Sequence, residues 1–191
     1  STIGILGGGQ LGRMLALAAA RLGFDVAILD PEPDCPAARV AKVAITAAYD
    51  DPLALKALAD ASDVVTFEFE NVPAKAVERL LGFGAEAAPN ARALAVAQDR
   101  VEEKSFLNAA GVHTVAFAAA EDAAALKAAV DAIGTPCLIK TRREGYDGKG
   151  QTWVEHAGDA AAAFTRVGAK PVIVEAPAAF RRELSVVAYL E

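Results

Sequence analysis

Residues 140–151 read K-T-R-R-E-G-Y-D-G-K-G-Q and bring together residue types that can bind phosphate. Gly145, Gly148 and Gly150 free the backbone to turn sharply. Lys140, Arg142, Arg143 and Lys149 supply positive charge. A loop with so little side-chain bulk can lay its N–H groups on phosphate oxygens while the cations neutralise the remaining charge. The chemistry suggested is a flap folding over a nucleoside triphosphate. A solvated hairpin tip whose glycines merely turn the chain fits the same residues, and composition alone does not separate the two.

Two further groups of residues have chemical potential. Gly7, Gly9 and Gly12 match the pattern G-x-G-x-x-G, and Asp30 lies near where a ribose-binding acid would stand in a dinucleotide fold. The physical content of such a turn is an anion at a helix N-terminus, where unpaired N–H groups and the dipole favour negative charge. That anion could be a dinucleotide pyrophosphate or the monophosphate of a ribonucleotide; glycines serving tight strand–helix packing are the plainer alternative. Glu68, Glu70 and Asn71 follow an apolar run, at the kind of strand end where α/β sheets bind ligands. The plainer alternative there is a surface loop in which Asn71 caps the next turn.

The elements that must hold these residues are read from periodicity. Residues 2–6 are a β-branched, apolar run and predict a strand. Leu11, Leu15, Ala18 and Leu22 share one helical face, and Gly23 ends that helix. Residues 25–29 predict the next strand, completing a βαβ unit with glycines at its first turn. Residues 36–41 suggest a short helix and 42–45 a short strand. Asp51 followed by Pro52 predicts a capped helix to about residue 59. Residues 64–67 predict a buried strand and 74–81 a helix. Asn90 is expected to cap a helix through residue 97, and Asp99 to start another over 100–110.

The pattern then restarts. Strands are predicted at 112–118, 137–140, 151–154, 171–175 and 183–189, with helices at 123–133 and 159–167. The glycine loop joins the second and third of these strands. A domain boundary is expected near residues 95–99, and a second in the Ala-Pro-Ala-Ala hinge near 176–180.

Composition narrows the classes of function. The chain has 191 residues and a net charge of −6, which disfavours a general nucleic-acid surface. Local cations in an acidic chain suit a small anionic ligand better than a polymer. Aromatic residues make up only 6%, too few to suggest a platform for stacking bases. The two cysteines, Cys35 and Cys137, lack C-x-x-C spacing, so neither a zinc site nor a disulfide framework is implied and a reducing cytoplasm fits. No apolar run approaches the roughly 20 residues of a membrane span, and no signal peptide is read at the start.

Four stretches carry a likeness to a known family. They are G-G-G-Q-L-G-R-M at 7–14, T-F-E-F-E-N-V-P at 66–73, the glycine loop at 140–151, and F-R-R-E-L-S-V at 180–186. In order and spacing the whole chain resembles the ATP-grasp ligases, and within them the branch that makes 5-(carboxyamino)imidazole ribonucleotide in purine biosynthesis. The loop with its Tyr146 and Asp147 is the most specific part. The resemblance implies an α/β protein: a Rossmann-like pre-ATP-grasp domain over 1–97, a small α+β ATP-grasp lid domain over 98–177, and the beginning of a third, C-terminal ATP-grasp domain over 178–191. It also implies ATP-dependent carboxylation of 5-aminoimidazole ribonucleotide with bicarbonate, giving the carbamate, ADP and phosphate. Bicarbonate is a poor electrophile, so ATP would first convert it to carboxyphosphate; the protein's part would be positioning and charge stabilisation. ATP and magnesium are the implied cofactors. A cytoplasmic homodimer is implied, with no membrane or nucleic-acid polymer as partner.

The resemblance also assigns roles. Arg100 and Lys140 would contact ATP phosphates. Gly145, Tyr146, Asp147, Gly148, Lys149, Gly150 and Gln151 would form the phosphate lid. Glu175, Ala176, Pro177 and Ala178 would line the adenine pocket, and Glu183 would hydrogen-bond the nucleotide ribose. Gln10 and Leu11 would cradle the ribonucleotide phosphate, with Glu68, and Asn71 beside it, contacting that substrate. Tyr146 and Asp147 would place the reacting amine. Two departures stand out. The hinge E-A-P-A-A-F lacks the second acid and larger apolar residues expected there. The magnesium ligands, an acid and an Asn-Glu pair, are expected beyond residue 191, so the chain is read as an incomplete catalytic chain that cannot turn over as it stands. Three alternatives compete: a biotin carboxylase-like subunit, a nicotinamide-dependent oxidoreductase built on the first glycine turn, and a non-catalytic nucleotide-binding module.

Overall fold

The computed structural model describes residues 1–145 and 149–187. In chain order the elements are β1 (Thr2–Leu6), α1 (Gln10–Arg21), β2 (Asp25–Asp30), β3 (Val43–Thr46), α2 (Pro52–Ala61), β4 (Val64–Phe67), α3 (Ala74–Gly82), β5 (Glu86–Ala87) and α4 (Ala91–Ala97). Then come α5 (Arg100–Ala109), β6 (Phe117–Ala120), α6 (Ala123–Ile133), β7 (Cys137–Thr141), β8 (Gln151–Val154), α7 (Ala160–Arg166) and β9 (Val172–Glu175). Packing divides the chain into two units, Ser1–Gln98 and Asp99–Glu191.

The first unit is built on a parallel sheet in the order β3-β2-β1-β4-β5. The chain's progression through the sheet reverses between β1 and β4, the crevice where α/β sheets take ligands. Both faces are covered, as a parallel sheet requires. Successive strand side chains point to opposite faces. Leu6, Leu29 and Val65 therefore pack with Leu55, Leu58, Leu80 and Leu94 on one side. Ile5, Val26 and Ile28 pack with Ala16, Ala19 and Cys35 on the other. The register that pairs Leu6 with Phe67 sets the residues leaving β1 and β4 side by side. That juxtaposition builds the first candidate site.

The second unit holds an antiparallel sheet in the order β6-β9-β7-β8. One face packs on α6 and α7 through Leu126, Val130, Ala163, Ile139, Val154, Val172 and Val174, with Cys137 fully buried among them. Pairing Leu138 with Glu175 and Lys140 with Ile173 puts Lys140 and Glu175 on the opposite face. β7 and β8 form the hairpin whose connection is the glycine loop.

The sequence expectations hold for most elements and fail at four places. Residues 36–41 form turns: Ala37 N–H bonds to Gly8 O at 2.8 Å instead of opening a helix. Of the expected strand at 112–118 only Phe117 and Ala118 pair, in a strand that runs on to Ala120, because its partner β9 offers just Val172–Glu175. Before it, Thr114 N–H is taken by Asn108 Oδ1 at 3.0 Å. Residues 183–187 form no strand, and both edges of β9 are already filled by β6 and β7. Conversely β5, two residues long and paired only with β4, carries no periodic signal.

Candidate functional site

In the first unit, the glycine turn between β1 and α1 meets the end of β4. Helix α1 starts at Gly9 with no side-chain cap of its own. Glu68 supplies it from across the sheet: Gly9 N–H donates to Oε1 at 2.8 Å, and Gly12 N–H donates to Oε2. Such charge-assisted bonds contribute roughly 1.5–3 kcal/mol each. The glycines are needed because the carboxylate lies so close. A Cβ on Gly9 would sit 2.5 Å from Glu68 Oε1, and one on Gly12 would sit 2.7 Å from Gly7 O. Asp30 clamps the same turn: Gly8 N–H and Tyr49 O–H both donate to its Oδ2 at 2.7 Å, and Glu32 N–H donates to Oδ1 at 2.8 Å. The Tyr49 hydroxyl is held protonated far above its usual range, by burial first and by its bond to Asp30 second. Among the described residues, nothing accepts from Gln10 or Leu11 N–H, and both residues are exposed. Beside Glu68 opens a cleft of about 400 Å³ lined by Phe67, Phe69, Glu70, Pro89, Ala93, Leu94 and Ala97.

In the second unit, cations converge on one buried carboxylate. Glu175 is 4% exposed at the end of β9. Lys140 Nζ lies 2.7 Å from its Oε2, and Lys104 Nζ lies 3.4 Å from its Oε1. Oε1 has no hydrogen-bond partner among the described residues. Two ammonium groups on one carboxylate leave a positive surplus, which suits an anion. Arg100, one helical turn before Lys104, donates to Thr141 O at 3.1 Å and to Gly145 O at 2.6 Å, so it ties down the base of the glycine loop. Thr141 N–H bonds to Gly150 O at 2.8 Å from the other end. Gly150 has φ +72, and a Cβ there would sit 2.7 Å from Thr141 Oγ1.

Asp99 anchors this region. It is buried, caps α5 through Val101 N–H at 3.0 Å, and receives Arg142 through Nε at 3.1 Å and through a terminal nitrogen at 2.8 Å. Burial pushes its carboxyl up, but the bonds from Arg142 and from Val101 and Glu102 N–H outweigh this and leave it below the usual carboxylate range. The nearby cleft of about 540 Å³ is lined by Glu121, Arg143, Glu144 and Lys170, whose charges pair across it and with Asp99 and Arg142.

Residues 1–98 match the family model described as a ribonucleotide synthetase pre-ATP-grasp domain, and residues 105–189 match an ATP-grasp domain. The chain belongs to the ribonucleotide synthetase pre-ATP-grasp family. Its fold is that of the family, an α/β arrangement of a parallel sheet followed by an antiparallel ATP-grasp segment. Among relatives of this family, the chain is 50% identical over 190 residues to the N5-carboxyaminoimidazole ribonucleotide synthase of Brucella melitensis, covering 98% of this chain and 52% of that one. It is similar to the crystal structure of N5-carboxyaminoimidazole synthetase from Staphylococcus aureus complexed with ADP, with TM-score 0.86 and 38% identity over 93% of this chain and 47% of that one. It is also similar to the synthase from Aspergillus clavatus in complex with ADP and 5-aminoimidazole ribonucleotide, with TM-score 0.81 and 27% identity over 94% of this chain and 47% of that one. The chain spans about half the length of the curated relatives it matches.

Against this family background the expected site residues fall into distinct groups. Gln10, Leu11 and Glu68 meet at the first glycine turn, and Arg100, Lys140, Gly145, Gly150 and Glu175 meet around the second. Asn71, Gln151, Pro177, Ala178 and Glu183 are exposed, and Ala176 is fixed by its N–H to Ala116 O at 2.9 Å. Tyr146, Asp147 and Gly148 lie outside the described residues. Lys149 is exposed. Sequence reasoning missed Lys104, although its spacing of one turn from Arg100 puts both on the same helix face. It read Asp99 only as a cap, and Asp30 as a ribose acid where the structure has it holding the turn.

Proposed function

We propose that this chain serves the ATP-dependent carboxylation of 5-aminoimidazole ribonucleotide with bicarbonate, as a carbon–nitrogen ligase of purine biosynthesis. Bicarbonate oxygen attacks the γ-phosphorus and ADP leaves. The substrate's amine then bonds to the carbon of the resulting carboxyphosphate, or to carbon dioxide released from it; phosphate leaves and the amine loses a proton. The observation that carries this reading is the joining of a ribonucleotide synthetase domain to an ATP-grasp segment in one chain. Relatives with the same pairing are complexes with ADP and with 5-aminoimidazole ribonucleotide.

The residues fit these ligands. Gln10 and Leu11 N–H take the ribonucleotide phosphate at the start of α1. The cleft beside Glu68, with Phe67 and Phe69 in its wall, takes the flat heterocycle. Arg100 and Lys140 hold the nucleotide phosphates with the glycine loop, including Lys149 and Gln151, as lid. Glu175, at the end of β9, and the backbone of residues 176–178 line the adenine pocket, and Glu183 takes the nucleotide ribose. Tyr146 and Asp147 orient the reacting amine. Magnesium is the expected metal cofactor; among the described residues no group of three or more His, Cys, Asp or Glu side chains is placed to hold it. No helix among the described residues is long and apolar enough to cross a membrane; a cytoplasmic homodimer is part of the proposal.

A nicotinamide-dependent oxidoreductase is disfavoured by the first turn itself. Its inner N–H groups are occupied by Glu68 and Asp30, the very acid a dinucleotide ribose would need. Calorimetric titration of the chain with ADP, 5-aminoimidazole ribonucleotide and NADH tests the proposal. Binding of the first two and not the third is expected; NADH binding without ADP binding would sink it.

A further inference from the structure

The cations proposed to meet the nucleotide do not sit on the sheet alone. Lys140 comes from β7 but Arg100 comes from α5, as does Lys104 beside Glu175, and the position of that helix relative to the glycine loop is set by its first turn. Six hydrogen bonds join residues 99–100 to residues 141–145. Arg100 N–H donates to Arg142 O at 3.0 Å. The Arg100 guanidinium donates to Thr141 O and Gly145 O. Arg142 grips Asp99 with two nitrogens, and Arg143 Nε reaches Asp99 Oδ2 at 3.3 Å. Asp99 is 3% exposed and at the same time caps α5 through Val101 and Glu102 N–H. One carboxylate thus fixes where the helix starts and what it is bolted to.

We propose that Asp99, acting through Arg142, is a positioning residue for nucleotide binding: it locks the first turn of α5 to the base of the glycine loop and so sets Arg100 at the phosphate site and Lys104 beside Glu175. This rests on the nucleotide reading of the second unit. Asp99 touches no ligand in this role. Its effect passes through helix placement, as a part-buried bidentate carboxylate–guanidinium pair with fixed geometry allows. Removing either partner breaks the same contact, so the two losses overlap rather than add. The two single variants should therefore be non-additive.

The test titrates ADP into the whole chain and into Asp99→Asn, Asp99→Glu, Arg142→Met and the Asp99→Asn/Arg142→Met double variant. The expected result is about a tenfold loss of ADP affinity in Asp99→Asn and in Arg142→Met, with the double variant no worse than either. Asp99→Glu, which keeps the charge, should recover most of the loss. Hydrogen exchange separates positioning from loosening: amides of residues 100–102 and 141–145 should exchange faster while those of α6 stay protected. If Asp99→Asn does not fold, Arg142→Met carries the test, since it keeps both helix caps. Unchanged ADP affinity in folded variants overturns this proposal and leaves the nucleotide reading standing. Affinity lost in step with α6 protection overturns it as mere destabilisation. Failure of the unaltered chain to bind ADP overturns the nucleotide reading, and the positioning role falls with it.

Discussion

Single residues at the two turns act by how little space they leave. Gly150 combines a left-handed backbone with Thr141 at contact distance. Gly150→Ala should cost about 1–2 kcal/mol from backbone conformation alone and weaken ADP binding by about tenfold. Gly158, with nothing within 4 Å of its would-be Cβ and no positive φ, is the control, and its Ala variant should match the parent in calorimetry and melting. Asp99 predicts a pH dependence. Its folded-state carboxyl sits below the value near 3.9 of an unfolded Asp. Its stabilisation is thus fully present above about pH 4 and is lost as pH falls further, through the folded-state value. Urea midpoints of the parent chain and Asp99→Asn should therefore differ at pH 6 and converge towards pH 2. The sequence shows that these residue types are present but not whom they meet. That Glu68 caps α1, or that Glu175 gathers two lysines, depends on strand register between segments far apart in the chain.

Elements were legible where their signals are local. Asp51, Asn90, Asp99 and Asp122 each accept from the N–H groups of the helix they open, and each stands directly before that helix in the sequence. Asp122 was the one not read as a cap, though its helix was placed at residues 123–133 and found there. Asp51→Ala should lower stability by about 1 kcal/mol, read as a shift in urea midpoint, with α2 fraying first in hydrogen exchange. Strands were legible as short apolar or β-branched runs, in β7 and β9 as in β1, β2 and β4, and also in β3 and β8, which are largely exposed. The run at 112–118 looks like a strand because it is rich in Val, Thr, Phe and Ala, but pairing is a property of the partner too, and β9 is only four residues long. The helix expected at 36–41 lost to tertiary bonds from the glycine turn.

At the scale of the molecule, each unit has a core of its own. Leu58 is fully buried among α2, α3 and the parallel sheet, and Leu126 among α6, α7 and the antiparallel sheet. Leu58→Ala and Leu126→Ala should each cost about 2–5 kcal/mol. Residue-resolved hydrogen exchange should show the first loosening residues 1–98 and the second residues 99–187. The α/β class and the family were readable from the chain because glycine turns and alternating elements are written in order. The chain also carries one thiol in each core: Cys35 is 4% exposed and Cys137 is fully buried. Burial raises the pKa of both, so neither is a ready nucleophile while folded. Alkylation by iodoacetamide should then wait for breathing motions, and mass spectrometry of the two tryptic peptides would clock each half separately, with no probe added to the natural sequence.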